Sequence, residues 1–219
     1  MILILRGHIR DSFETIRLFN LIKSMYNINN NLTIYIHTWN VIANNISWRP
    51  IRKNDNVVTN EMIYNYFGNL KHLIKHIIID DDKNIKLIGN LNGNVSSSKM
   101  PLIGWKNYWY GKYSIINYIR EHVNTNETII NCRFDILTNS FKNTNYQIIN
   151  FIATYIKYRF KKIIFINNRI GVDNIYIGNI YNMYKLTHNF HYLLDNIVKR
   201  NPGTIHQEEL VYNVNRRLF

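Results

Sequence analysis

Short apolar runs alternate with amphipathic stretches along this 219-residue chain. Residues 2–5 (Ile-Leu-Ile-Leu) predict a buried strand, and residues 6–10 a polar turn. Asp11 or Ser12 then caps a helix whose apolar face carries Ile16, Phe19, Leu21, Ile22 and Met25, with Glu14 in its first turn. Residues 32–36 are β-branched and aromatic and predict a second strand, with His37, Thr38 and Trp39 at its end. Residues 40–60 read as irregular and polar, including Trp48, Arg49 and Pro50. Met62, Ile63, Tyr66, Phe67 and Leu70 restore a helical period. Residues 77–79 predict a third strand, closing on Asp80, Asp81 and Asp82, and residues 89–99 a surface loop. Trp105, Trp109, Tyr113, Ile116 and Ile119 form a helical stripe with a break or start near Gly111. Residues 128–130 predict a fourth strand. Residues 146–161 fit a strand or a helix. A short strand over 162–166 and a turn over 168–173 lead into a strand at 175–177. Helices follow over 180–194 and 205–218, separated by Asn201-Pro202-Gly203. Such alternation argues an α/β fold with a mostly parallel central sheet flanked by helices, in a single domain over residues 1–219. In such sheets ligands bind beyond the carboxyl ends of the strands, so the polar clusters after each strand are the places to look for function.

Composition narrows the partners. Lys and Arg number 27 against 14 Asp and Glu, a net charge of +13, yet only 19% of residues are charged and 46% are hydrophobic, which excludes a disordered polycation. One cysteine excludes a disulfide framework within the chain and an all-cysteine zinc site. A surplus of positive charge selects anionic partners: nucleic acid, an anionic membrane surface or a nucleotide diphosphate. The wealth of Asn, Ile, Lys and Tyr matches AT-rich codon usage. No apolar run reaches the roughly 18–20 residues that span a bilayer. Arg6, His8 and Arg10 interrupt the first apolar run in the wrong order for a signal peptide. The expected location is therefore cytoplasmic, in a cell or a virus-infected host, with peripheral membrane contact left open.

Several clusters carry chemistry. In Arg6-Gly7-His8-Ile9-Arg10, a glycine beside two arginines lets backbone N–H groups and guanidinium forks approach a phosphate just before a helix N-terminus. Trp39 offers a face for a base, and His37 a hydrogen bond. Arg133 and Asp135 alternate to one side of their strand, where an Arg–carboxylate pair can hold a metal diphosphate or a sugar hydroxyl. Asp80, Asp81 and Asp82 are a rival metal site and also read as a solvated turn. Asp173 stands at a turn as a base, a hydroxyl ligand or an Asx-turn residue. Residues 155–162 interleave basic and aromatic side chains, which suits stacking on nucleic-acid bases, contact with an anionic membrane, or a solvated basic face over core aromatics. Walker A, GxGxxG, zinc-finger and G-x-S-x-G patterns are missing, which argues against P-loop ATPases and dinucleotide-dependent enzymes.

The order of these motifs resembles that of a group of small bacterial and large-virus glycosyltransferases with a compact GT-A, Rossmann-type domain. The resemblance rests on Arg6-Gly-His-Ile-Arg10, Tyr35-Ile-His-Thr-Trp39, Ile130-Asn-Cys-Arg-Phe-Asp-Ile136, Gly171-Val-Asp-Asn-Ile-Tyr-Ile-Gly178 and Ile205-His-Gln-Glu-Glu-Leu210, and it spans almost the whole chain. It implies transfer of a sugar from a nucleotide-diphosphate donor to a saccharide, glycolipid or glycoprotein hydroxyl. Arg6, Gly7, His8 and Arg10 would contact the nucleotide or diphosphate. His37, Thr38 and Trp39 would border the nucleotide pocket. Lys112, near the start of its helix, would add a donor contact. Arg133 and Asp135 would stand where such enzymes carry Asp-x-Asp, with Asp135 facing Mn²⁺ or Mg²⁺. Asp173 would face the acceptor, and His206 and Glu208 would line the same cleft, with Asp173 and Glu208 as the catalytic carboxylates. Arg133 replaces the first acid of Asp-x-Asp, and Asn174 stands where a second acid is common after Gly171. The alternative reading is a basic nucleic-acid-binding protein. The resemblance itself implies no stable nucleic-acid complex.

Overall fold

The computed structural model describes residues 1–44, 52–95, 99–123, 126–141, 143–158, 160–167, 171–202 and 206–218. Trp48, Arg49, Pro50, Arg159, Gly203, Ile205 and the start of the 168–173 turn lie outside them. The fold is α/β, with a six-stranded, mostly parallel sheet and seven α-helices among the described residues, compatible with a Rossmann-like fold.

The strands are β1 (Ile2–Arg6), β2 (Thr33–Trp39), β3 (Val41–Ala43), β4 (Asn54–Val57), β5 (Ile74–Asp80), β6 (Ile129–Arg133), β7 (Ile164–Phe165) and β8 (Ile175–Gly178). The helices are α1 (Arg17–Ile28), α2 (Asn60–Phe67), α3 (Leu102–His122), α4 (Asn145–Tyr158), α5 (Ile180–Tyr192), α6 (Leu194–Lys199) and α7 (Gln207–Leu218). The main sheet runs β5-β2-β1-β6-β8-β7. Its first four strands are parallel, while β8 and β7 join antiparallel to their neighbours. Strand order reverses between β1 and β6, so the crevice outside their carboxyl ends is the topological switch point.

Alternation sorts the strand residues onto two faces. Leu3, Leu5, Ile34, Ile36, Ile130 and Cys132 join one core with Leu18, Leu21, Ile22 and Met25 of α1 and Ile148 and Ile152 of α4. Ile2, Ile4, Tyr35, Ile129 and Tyr176 join the other with Trp105, Trp109, Ile116 and Ile119 of α3 and Met183, Leu186 and Phe190 of α5. Each such fully buried aliphatic side chain contributes roughly 1.5–3 kcal/mol. Two cores on opposite faces of one sheet explain why the inner strands read as continuous apolar runs.

The structure corrects several expectations. Helix α1 starts at Arg17 after Ile16, without a side-chain cap or a first-turn acid. The preceding residues form turns instead, with Ser12 N bonded to Ile9 O and Glu14 N to Asp11 O. The Asp11 carboxylate accepts the Thr138 hydroxyl at 2.7 Å rather than capping. The polar stretch after β2 contains an antiparallel hairpin, with Val41 paired to Val57 and Ala43 to Asn54. Residues 146–161 resolve mainly as helix α4, opened by a reciprocal pair in which Gln147 N donates to Thr144 Oγ1 at 3.2 Å and Thr144 N to Gln147 Oε1 at 2.9 Å. Helix α3 runs unbroken through Gly111, which places Lys112 at the middle of the helix rather than near its start. Among the described residues, no helix is long and apolar enough to cross a membrane.

Candidate functional site

The site is built from one row of the sheet. Strand register sets Arg6 of β1 beside His37 of β2 on one side and Arg133 of β6 on the other. Parallel neighbours in register present their side chains to the same face, so three motifs far apart in sequence meet at the switch point. Facing them is one side of α3: Gly104, Trp105, Tyr108, Gly111 and Lys112, spaced by three, four and seven residues. Between sheet edge, helix and hairpin lies a cleft of about 940 Å³. Arg6, Gly7, His8, Arg10, His37, Trp39, Lys112, Arg133, Asp135, Asp173 and Glu208 all line it.

Two expected residues do not. Thr38 is fully buried and lies outside the cleft lining, because alternation turns it to the opposite face of β2 from His37. His206 is exposed and outside the lining, while the next two residues, Gln207 and Glu208, are buried and face the cleft from the first turn of α7.

The loop after β1 is conformationally special. Gly7 has φ +90° and Arg10 φ +55°, and Arg10 is the one non-glycine residue with positive φ among those described. A left-handed arginine costs about 1–2 kcal/mol and persists only where its surroundings hold it. Here the holder is Asp135, in the short 3-10 turn over Phe134–Leu137, whose Oδ2 accepts from Arg10 Nη1 at 2.5 Å. Asp135 also takes a two-pronged contact from Arg133, Nε to Oδ1 and Nη2 to Oδ2, both at 2.6 Å. Burial alone would raise the Asp135 pKa, but the two guanidiniums hold it well below the usual carboxylate range. Burial opposes charge on Arg133 too, and Asp135 more than offsets it, raising the guanidinium's pKa.

Arg6 is 2% exposed. Its Nε donates to Asn131 Oδ1 at 2.6 Å and its Nη2 to the Asp173 carbonyl, while Nη1 has no hydrogen-bond partner. Lys112 is fully buried, and its Nζ has no hydrogen-bond acceptor. The ammonium lies over the rings of Tyr108 at 3.9 Å and Trp109 at 4.0 Å. Burial, then the Arg6 charge beside it, push the Lys112 pKa well down against the opposing pull of Asp173. Asp173 accepts the Tyr108 hydroxyl at 2.6 Å. Its burial favours the neutral acid, but Lys112, Arg133 and Arg6 together lower its pKa. A depressed pKa makes Asp173 a weak proton acceptor at neutral pH and a good anchor for a hydroxyl donor.

His37 is 1% exposed, with Nε2 3.1 Å from Asp80 Oδ2. Trp39 packs edge-on against it at 5.2 Å and tilts toward His8 at 6.0 Å. A β-carbon at Gly111 would stand 2.6 Å from His37 Nδ1, so the close approach of α3 to β2 depends on that glycine.

The residues expected to hold Mn²⁺ or Mg²⁺ do not fit such an ion. Both Asp135 oxygens are engaged by guanidinium groups, so a divalent cation there would displace them or sit among like charges. The Asp80–Asp82 run is split: Asp80 meets His37, Asp81 accepts from Lys83 N and Asn84 Nδ2, and Asp82 accepts from Asn44 Nδ2 at 2.5 Å. Asp81 thus forms the solvated turn that the sequence allows. In the basic-aromatic segment, Tyr155 is buried and bonds Phe160 O, while Tyr158 is exposed with the Lys157 ammonium 5.2 Å from its ring.

Sequence reasoning missed Tyr108, Asn131 and the polar hairpin that lines the cleft rim with Asn54 and Asn56. Tyr108 had a readable signal: with Gly104, Gly111 and Lys112 it shares one helical face. Asn131 had a weaker one, a polar residue inside an apolar strand.

Fold and site together define an α/β protein with a mostly parallel sheet and a cleft at its switch point that holds buried cations. No protein-family model, curated protein or solved structure matches the chain.

Proposed function

We propose that the chain is a glycosyltransferase with a GT-A-like domain, moving a sugar from a nucleotide-diphosphate donor to a saccharide hydroxyl. The observation that carries this reading is a pair of buried basic side chains on facing walls of the cleft at the switch point, Arg6 and Lys112, whose Nη1 and Nζ have no acceptor. Buried donors are costly unless partnered; Asp173 balances part of the charge but leaves both nitrogens without an acceptor, which a phosphate oxygen would supply. The cleft volume of about 940 Å³ lies within the size range of small-molecule sites.

In this reading the bond between the anomeric carbon and the donor's β-phosphate oxygen breaks, and a bond to the acceptor oxygen forms. Negative charge accumulates on the leaving diphosphate. Arg6 and Lys112 stabilise it from within the protein, and Arg10 and Arg133, both held by Asp135, do so from the rim. Trp39 and His37 border the nucleoside. Asp173 and Glu208 stand on the acceptor side, where the acceptor's proton must go to a carboxylate or to water. The low pKa of Asp173 suits it to holding the hydroxyl, which leaves Glu208 as the better base.

Thermal-shift titration with UDP and GDP, followed by a screen of nucleotide sugars for slow hydrolysis, tests the reading. A saturable rise in melting temperature and hydrolysis of at least one sugar donor are expected. No shift with either nucleotide, with or without Mn²⁺, would remove it. The nucleic-acid alternative rests on the exposed aromatics and lysines near Tyr158 and predicts binding that weakens steeply with salt.

A further inference from the structure

We propose that this cleft meets a diphosphate with fixed cationic side chains, Arg6 and Lys112, without a divalent cation, and that Asp135 is the positioning residue that holds Arg10 and Arg133 at its rim. The inference deepens the glycosyltransferase reading and rests on it.

A metal that bridges a diphosphate needs carboxylate oxygens with free lone pairs and room for further ligands. On Asp135 three of the carboxylate's lone pairs are taken, and two guanidiniums occupy the space around it. Its Oδ1 is bound by Arg133 Nε, and its Oδ2 is shared by Arg133 Nη2 and Arg10 Nη1, all at 2.5–2.6 Å. The neighbouring acids each have a partner within the protein. Asp173 takes the Tyr108 phenol, Asp80 takes His37, and Asp82 takes Asn44.

Arg6 supplies positive charge of the kind a metal would bring, and a phosphate beside Lys112 would favour its charged form against the burial that disfavours it. Arg6 and Lys112 lie on facing walls, one on the sheet and one on α3, and both stack against Tyr108, at 4.7 and 3.9 Å from its ring centre. Each keeps a buried nitrogen without an acceptor. A phosphate between them would accept from both and complete their hydrogen bonding, while Asn131 and the Asp173 carbonyl keep the Arg6 fork aimed. Asp135 acts through its partners. By pairing with Arg10 it stabilises a backbone that an arginine otherwise avoids, and by pairing with Arg133 it fixes that fork in register with Arg6.

Isothermal titration of UDP and GDP, each with EDTA and again with excess Mn²⁺ or Mg²⁺, reads the proposal directly. At least one nucleotide should bind in EDTA, its Kd changing by less than about threefold when metal is added. Inorganic pyrophosphate should compete with it in EDTA. Lys112→Met should weaken the nucleotide diphosphate by about tenfold or more while the nucleoside alone binds as to wild type. Asp135→Asn should weaken it by the same factor in EDTA and in metal, whereas a metal ligand would lose only the metal-dependent part. Binding seen only with Mn²⁺ or Mg²⁺ overturns the inference and leaves the glycosyltransferase reading standing. So does failure of pyrophosphate to compete, or an equal loss of nucleoside and diphosphate affinity in a folded Lys112→Met protein. Absence of binding by either nucleotide in every condition overturns both.

Discussion

Replacing Gly111 by alanine tests the packing that sets the width of the cleft. In an exposed helix interior this change stabilises by about 1 kcal/mol, because alanine is the better helix former. At Gly111 the new methyl carbon would lie 2.6 Å from His37 Nδ1 and 3.1 Å from Nε2, with Cε1 closer still. The ring cannot swing aside freely: it is 1% exposed, bonded to Asp80 and flanked by Trp39 and Tyr110. Overpacking of this kind costs roughly 1–3 kcal/mol, and loss of the His37–Asp80 contact adds about 1 kcal/mol. After the helix-propensity gain, a net loss of about 1–3 kcal/mol is expected, a fall in Tm of about 3–10 °C for a chain of this length. Urea denaturation of Gly111→Ala, His37→Ala and the double variant measures it. The double variant should be no less stable than His37→Ala, since removing the ring removes the clash and restores the propensity gain. A Gly111→Ala protein as stable as wild type would refute the steric argument.

Substitutions at two positions probe the loop after β1. Arg10→Gly and Arg10→Ala both lose the contact with Asp135, but only glycine adopts φ +55° without strain, so the glycine variant should be the more stable by about 1 kcal/mol in urea denaturation. Equal stability would show that the backbone relaxes once the side chain is gone. His8 is held neutral, its pKa lowered to about 3, first by burial and then by the Arg10 charge. Between that value and about 6.5 the unfolded chain binds the extra proton, so stability falls as pH falls through this window, with a slope approaching 1.4 kcal/mol per unit. His8→Gln should flatten that part of the profile. An unchanged profile would mean that other groups set the acid limb.

Much of the architecture was legible because the inner strands carry apolar runs that only a sheet covered on both faces can bury. Strand order was not, because register and crossover depend on contacts between runs, not within them. The hairpin was hidden by its own composition: Asn54-Asp55-Asn56-Val57 has no apolar alternation, and its fourth residue is exposed. Helix α4 mixes β-branched and aromatic residues suited to either element, yet Ile148, Ile152 and Tyr155 fall on one helical face, and Thr144 with Gln147 spells a capping pair. Lys112 was expected near a helix start, where a side chain has ready access to solvent or to a ligand. Its burial at mid-helix is legible only from Gly104, Tyr108 and Gly111, which open one face of α3 toward the sheet. Thr38 sits between His37 and Trp39 in sequence, and strand alternation separates it from them in space.

The charge of +13 is a poor guide to this site. Among the described residues, seven acidic and six basic side chains line the cleft, so its wall carries none of the chain's positive surplus. What sets the floor apart is pairing rather than sum. Asp135 is satisfied by Arg10 and Arg133, and Asp173 by Tyr108 and the surrounding cations, while Arg6 Nη1 and Lys112 Nζ are left without acceptors. An exposed cation is screened by salt and by water, and its contribution fades within about 8 Å at physiological ionic strength. A buried one is not, so two unsatisfied nitrogens here outweigh a larger number of surface lysines in selecting a ligand. The surface surplus can draw an anionic ligand toward the protein, but the unpaired donors decide where its phosphates rest. That difference separates the two functional readings. Binding through the surface would fall steeply with salt, whereas a diphosphate held by Arg6 and Lys112 would lose affinity only gradually.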